Sequence, residues 1–192
     1  MLQNSLYMEH EAGVDEAGRG PLAGSLFAAA VILPRDFNHP LLDDSKKMTE
    51  RNRLLLRDVI QRQAIAWAVA EVDAAQIDRI NILNATYQAM NCAVAKLTQK
   101  PAFLLIDGNR FKNSCAIPHE CIVKGDGKFA SIAAASVLAK TYRDEYMMKL
   151  HEEYPMYGWD SNKGYPTKAH KEALARWGLT PYHRITFNSA IK

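Results

Sequence analysis

The segment Gly13-Val14-Asp15-Glu16-Ala17-Gly18-Arg19-Gly20-Pro21 restricts the fold of this chain more than any other stretch. Two adjacent carboxylates close a short apolar run and meet a turn of glycines built around an arginine. Glycine reaches backbone conformations that other residues avoid and lets the chain come close to another molecule. A nearly continuous small-and-apolar run, Ser25 to Leu33, follows and stops at Pro34. The pattern predicts two buried strands, Ala12–Ala17 and Ser25–Leu33, paired antiparallel across the glycine turn. Carboxylates at the end of a buried strand suit hard cations, and an arginine beside them suits phosphate, so the segment points to phosphodiester chemistry.

Further elements follow in order along the chain. Thr49 is placed to cap a helix running to about Gln63, with Glu50 in its first turn, and Ala64–Val72 reads as a strand. Asp73 and Gln76 have the spacing of a capping box and open a short helix. Ile80, Leu83, Tyr87, Met90, Val94 and Leu97 recur at helical spacing and predict one apolar helix face, ended by Pro101. The apolar run Ala102–Ile106 delivers Asp107 just before Gly108, and Glu120–Val123 is a short strand leading into Lys124-Gly125-Asp126-Gly127-Lys128. Phe129 to about Glu153 reads as a long helix, Ala- and Ser-rich at first, then charged and more exposed. Thr167–Trp177, capped by Thr167 behind Pro166, is the last helix. No repeat or linker interrupts the pattern, so residues 1–192 are read as a single domain with a mixed α/β layer fold.

Composition sets bounds and does not choose the function. Hydrophobic residues make up 48% of 192 residues, enough for one sizeable core. The net charge of +3 is too small to argue for a nucleic-acid partner, so the placement of basic residues must decide. Cys92, Cys115 and Cys121 have neither zinc-finger nor CxxC spacing, and free thiols in a reducing compartment are expected. Met1–Glu11 lacks the apolar core of a signal peptide and no apolar run is long enough for a bilayer, so a cytoplasmic protein without a membrane partner is expected.

The acids carry the chemistry. Neighbours in a regular strand point to opposite faces, so Asp15 and Glu16 share a site only if the strand ends or distorts there. Asp107 ends a second apolar strand, and Asp126 sits between glycines at the mouth of a helix. Taken singly, such an aspartate is more often a cap or a turn former. Gathered together, four carboxylates would repel one another unless cations compensate, and an oxygen-rich set favours Mg²⁺ or Mn²⁺. A pair of such ions activates a water and stabilises the leaving oxygen of a phosphodiester.

These residues resemble the signature of type 2 ribonuclease H, the bacterial ribonuclease HII group. Beyond Gly13–Pro21, Asp44-Ser45-Lys46-Lys47-Met48 is similar to that family's DSKK element, and Leu105-Ile106-Asp107-Gly108 to its third-acid strand. Lys124-Gly125-Asp126, with Ser131 to Lys140 and Arg143-Asp144, is similar to its fourth-acid helix. Gly164-Tyr165-Pro166-Thr167 with His170, and Pro181-Tyr182-His183-Arg184 with Phe187, are similar to its tyrosine loop and its ending. The resemblance implies a ribonuclease-H-like fold, a central mixed sheet flanked by helices with a helical C-terminal portion. It implies an endoribonuclease that hydrolyses the RNA strand of RNA–DNA hybrids and incises 5′ of ribonucleotides embedded in duplex DNA, leaving 3′-hydroxyl and 5′-phosphate ends. By position, Asp15, Glu16, Asp107 and Asp126 match the family's catalytic, metal-holding acids, with Asp126 the loosest ligand. Ser25, Ile185 and Thr186 depart from the family pattern. The first leaves the strand start less constrained, and the other two remove a positive charge near the substrate surface.

A ribonuclease must recognise the 2′-hydroxyl. The backbone of Gly18, Arg19 and Gly20 is placed to bond it, and the family's tyrosine, here Tyr165, reads the RNA-to-DNA junction with that turn. Arg19, Ser45, Lys46 and Lys47 are candidate phosphate contacts, with Lys163 and Lys168 as extras; such contacts position a duplex without reading its bases. His170 and His183 lack metal-ligand spacing and read as structural or substrate-adjacent. A monomer is expected. Rival readings are a nucleotide-binding module, which lacks the Gly-Lys-Ser/Thr ending of a phosphate loop, a non-catalytic hybrid-binding protein, which would lack an acid, and an unrelated metal-dependent phosphomonoesterase.

Overall fold

The computed structural model describes residues 2–6, 10–43 and 48–190, without the side chains of 188–190. The chain forms β1 (Glu11–Ala17), β2 (Leu26–Ile32), α1 (Glu50–Gln63), β3 (Ala66–Val72), α2 (Ala74–Ile80) and α3 (Ile82–Ala95). It continues through β4 (Phe103–Asp107), β5 (His119–Ile122), α4 (Ala130–Glu153), α5 (Trp159–Asn162) and α6 (Lys168–Trp177). The five strands make one mixed sheet in the order β3-β2-β1-β4-β5. β1 pairs antiparallel with β2 and parallel with β4, so the outgoing ends of β1 and β4 reach the same edge of the sheet.

Local chemistry explains the boundaries. The Thr49 hydroxyl accepts from the Asn52 amide at the start of α1, and the Asp73 carboxylate accepts from the Gln76 amide at the start of α2. The short helix expected from Asp73 and the helix expected from about Ile80 are separate: Asn81, at φ 66°, ends α2 just after Ile80 and caps α3 by accepting from the Leu83 and Asn84 amides. The face of α3 that packs on the sheet is rotated from the expected one: Ala85, Ala89, Met90, Ala93 and Val94 are buried, whereas Leu83 is exposed. Small alanines, rather than the largest apolar residues, set that face because they allow the helix to lie close to the strands.

Two layers of helix cover the sheet. Ala12, Val14, Ala28 and Ala30 turn toward α2 and α3, and Ala29 and Val31 turn toward α1 and α4. The α4 contact is the closest. A methyl group on Gly13 would lie 2.1 Å from the backbone carbon of Ser131, so only glycine lets this helix rest directly on β1. The first half of α4 is accordingly alanine-rich and buried. Its second half is less exposed than its charge suggests: Arg143 and Asp144 are buried there. A separate apolar cluster of Tyr157, Trp159 and Leu174, with Met147 and Leu150 of α4, anchors the C-terminal helices.

Candidate active site

The pairing of β1 with β4 stops at Val14 and Ile106. Beyond that point β1 keeps its β2 neighbour in unbroken register, Asp15 opposite Ala29 and Glu16 opposite Ala28. The distortion expected from the adjacent acids is therefore absent from the β1–β2 ladder. A crevice opens instead at the carboxyl ends of two parallel strands, the place where open α/β sheets hold ligands. Asp15, Glu16 and Asp107 all line it, in a cleft of about 400 Å³ with Gly18, Arg19, Gly20 and Tyr165.

The acids have different partners. The Asp15 carboxylate accepts from the Glu16 amide at 2.7 Å, and Ser136 of α4 also hydrogen-bonds it. Burial, and then the charges of Glu16 and Asp107, push the Asp15 carboxyl well above the usual range. Burial also raises Glu16, opposed by Arg19, whose Nη1 lies 3.4 Å from Glu16 Oε1. Asp107 Oδ1 accepts from the Gly125 amide at 2.7 Å. That bond brings the glycine turn of Asp126 to Asp107. Asp126 itself is buried at 3% exposure in this turn and does not line the cleft.

Among the described residues no group of three or more His, Cys, Asp or Glu side chains is arranged to hold a metal ion. The donor set is nonetheless that of a hard cation: carboxylate oxygens alone, partly buried, and each raising the energy of the next. The chemistry of these donors fits a divalent cation bound through oxygen.

The glycine turn is held from two sides. Gly18 has φ +99°, and a methyl group there would lie 2.2 Å from Arg143 Nε. Arg143 donates to the carbonyl oxygens of Ser25, Ala23 and Lys163, at 3.2, 3.3 and 3.0 Å. At Ser25, which lacks the ring constraint of a proline, Arg143 holds the carbonyl in place. Arg184 donates to Gly18 and Arg19 from the other side. Tyr165 is 44% exposed at the cleft, with the Arg143 guanidinium 5.9 Å from its ring centroid.

The other expected contacts divide. Ser45, Lys46 and Lys47 lie outside the described residues. Lys163 Nζ is turned to the Asp160 carbonyl oxygen, and Lys168 pairs with Glu172 at 3.8 Å on an exposed helix turn. Ile185 and Thr186 donate their amides to the Asp78 carboxylate at 2.7 and 2.9 Å, so this stretch docks on α2. His170 and His183 are structural: both are buried, between Trp159 and the tyrosine loop.

Ser136, Lys140, Arg53 and Arg143 also line the cleft, and the sequence reading gave them no role. Lys140 Nζ lies 2.6 Å from Asp144 Oδ1, and burial lowers its pKa despite that partner. Arg53 Nη1 donates to the Met48 carbonyl oxygen at 2.6 Å, at the end of the lysine loop. A signal was available for three of them. Ser136, Lys140 and Arg143 are spaced four and three apart, a polar stripe on an otherwise alanine-rich helix.

The family model described as Ribonuclease HII matches residues 12–190. A curated Ribonuclease HII of Bacteroides thetaiotaomicron is 62% identical over 178 residues, covering 93% of this chain and 89% of that protein. The crystal structure of the ribonuclease H2 from Pyrococcus horikoshii OT3 superposes with a TM-score of 0.78 at 26% identity, covering 94% of each chain. Bst-RNase HIII, crystallised in complex with Mn²⁺, gives a TM-score of 0.79 at 19% identity over 95% of this chain and 69% of that one. That last likeness speaks to fold alone, and together the structures make this a ribonuclease-H-type fold.

Proposed function

The chain belongs to the ribonuclease HII family, and from that membership we propose how its own residues carry out the family reaction. The enzyme is an endoribonuclease that hydrolyses the RNA strand of RNA–DNA hybrids and nicks 5′ of ribonucleotides embedded in duplex DNA. In our reading Asp15, Glu16 and Asp107 form the catalytic set, with Asp126 joining from the turn that Gly125 ties to Asp107. The observation that carries this reading is the shared cleft: three acids from two parallel strands, beside the glycine turn and Tyr165.

These acids would hold Mg²⁺ or Mn²⁺, two during the reaction, and the support is an all-carboxylate donor set in which burial and mutual repulsion raise Asp15 and Glu16. Ions of this kind supply a nucleophilic water at neutral pH and stabilise the charge that develops on the departing oxygen. Ser136 orients Asp15, and the Gly125 amide orients Asp107. Arg19 holds Glu16 and offers its remaining donors to a backbone phosphate. Gly18, Arg19 and Gly20 present backbone amides to the 2′-hydroxyl, and the Tyr165 ring packs on the deoxyribose that follows. Lys140 and Arg53 add positive charge on the α4 side of the cleft, and Ser45, Lys46 and Lys47 grip a neighbouring phosphate.

The whole chain, residues 1–192, acts in this reading as a single catalytic domain. It works as a soluble cytoplasmic monomer. Among the described residues no helix is long and apolar enough to cross a membrane, and all three cysteines are free thiols.

The test is direct. The protein is incubated with duplex DNA carrying one ribonucleotide, with and without Mg²⁺, and the nick is mapped. A metal-dependent cut on the 5′ side of the ribonucleotide is expected. Metal-independent cutting, or turnover of small phosphate esters in its place, would overturn the site assignment.

A further inference from the structure

Arg184 lies behind the glycine turn, not in the cleft, and is 1% exposed. Its guanidinium meets three carbonyl oxygens. Nη2 donates to Gly18 at 2.7 Å and Gly24 at 2.7 Å, Nη1 donates to Arg19 at 3.1 Å, and Nε donates to Gly24 at 3.0 Å. Its own amide donates to the Leu22 carbonyl oxygen at 2.8 Å, and the adjacent His183 bridges to Ala23. The side chain is therefore bolted at its base to the loop it braces at its tip.

Peptide geometry gives this brace a consequence. In a trans peptide the carbonyl and the next N–H point in opposite directions. Two successive carbonyls, of Gly18 and Arg19, converge on Arg184. The amides of Arg19 and Gly20 must then face away from it, toward the cleft these residues line. Among the described residues neither amide donates a hydrogen bond within the protein. The turn has glycine at both ends, so its peptide planes would otherwise flip at little cost. A lysine has one point of charge, whereas the planar guanidinium addresses several acceptors in a fixed fork.

We infer that Arg184 is a positioning residue for substrate choice: it clamps the Gly18 and Arg19 carbonyls so that the Arg19 and Gly20 amides are aimed at the ribose 2′-hydroxyl before substrate arrives. This deepens the proposed function and rests on the reading that these amides sense the ribose. Pre-aimed donors act without reorganisation, and a loosened turn loses discrimination ahead of duplex affinity. Duplex affinity is carried by phosphate contacts that Arg184 does not make.

The test compares wild type with Arg184→Lys. With Mg²⁺ present, kcat and KM are measured on duplex DNA carrying one ribonucleotide, and Ki is measured for the same duplex made wholly of deoxynucleotides. The lysine variant is expected to lose about tenfold in discrimination, read as a rise in KM while Ki changes less than about twofold. A merely structural role would lower the active fraction, reducing kcat and leaving KM and Ki in place; that outcome overturns the inference. If wild type itself does not discriminate, the ribose-sensing reading fails and takes the inference with it. If wild type and Arg184→Lys discriminate equally, only the inference fails. Should the variant not fold, amide NMR of wild type decides. The Arg19 and Gly20 amide signals are expected to shift with the ribonucleotide duplex and not with the all-deoxy duplex, and equal shifts with both overturn the proposal.

Discussion

Gly20 faces Tyr165: a methyl group on Gly20 would lie 3.6 Å from Tyr165 Cε1, and apart from its chain neighbours it would come within 4 Å of nothing else among the described residues. The two glycines of the turn therefore differ in what they tolerate. Gly18→Ala forces a left-handed conformation on a residue with a side chain and drives it into Arg143. It is expected to cost on the order of 1–3 kcal/mol of stability and to cut activity at least about tenfold. Gly20→Ala is expected to keep the wild-type melting temperature. Melting curves and kcat/KM on both variants check the contrast, and equal stability loss would contradict it.

Tyr165 is exposed and its ring makes little core contact, so Tyr165→Ala is expected to melt like wild type. Incision at a single embedded ribonucleotide should fall sharply, by about tenfold or more, because the ring that packs on the next sugar is gone. Rates on single-ribonucleotide and uniform-hybrid substrates, measured side by side, test this. Unchanged rates on both would remove Tyr165 from the junction.

Asp15→Asn removes one charge from a buried cluster while its side-chain oxygen can still accept from the Glu16 amide. Cleavage should be abolished and duplex binding retained, since the phosphate contacts remain. Without divalent cations the variant should melt at or above the wild-type temperature, because a desolvated carboxylate beside Glu16 and Asp107 has been neutralised. Mg²⁺ should raise the wild-type melting temperature more than that of the variant, and a chelator should reverse the gain. Full cleavage by Asp15→Asn would falsify the acid assignment.

His170 and His183 set a pH limit on stability. The Tyr165 carbonyl can only accept and the Trp159 indole N–H can only donate, so His170 carries its proton on Nδ1 and accepts at Nε2. The Thr180 amide donates to His183 Nδ1, so His183 carries its proton on Nε2, 3.3 Å from His170 Nε2. Both rings are neutral in this network, between Tyr157 and Trp159. Burial, and then His170, lower His183 to about 4, and burial lowers His170. Between the ordinary histidine value and the folded one, the unfolded chain binds protons that the folded chain does not. Stability is therefore complete above pH ~6.5 and declines as pH falls toward about 4. Urea midpoints across this range should fall with pH, and His183→Gln should flatten the slope.

Gly13→Ala tests the closest contact in the fold. Its methyl group would meet the backbone of α4 rather than a movable side chain. A loss of about 3 kcal/mol or more is expected, with unfolding in urea as the measure. An alanine variant as stable as wild type would show that α4 can shift on the sheet.

Strands, caps and the order of elements were legible in the sequence because they rest on local chemistry. Thr49, Asp73 and Thr167 each cap the helix expected of them. The division between α2 and α3 was legible to within a residue, and its left-handed turn at Asn81 was not, because Ile80 belongs by spacing to the apolar face of the next helix. The acids were readable from the glycines and strand ends beside them. Their meeting was not, because it depends on β1 and β4 being parallel neighbours, a pairing between residues far apart in sequence. Ser136, Lys140 and Arg143 form a polar stripe that was available in the sequence, but spacing alone did not say that it faces the acids. The charge of Arg143 and Arg184 suggests a surface and gives no hint of buried forks reaching backbone carbonyls.

The bond from Arg184 to Gly18 joins positions 166 residues apart. The acids, by contrast, are held by β1, β4 and the turn at Gly125, none of which Arg184 touches. Closing so long a loop costs chain entropy that the shorter-range pairings of the sheet do not carry. Partial unfolding near residue 184 would therefore release the ribose-facing turn while leaving the hydrolytic acids where they are.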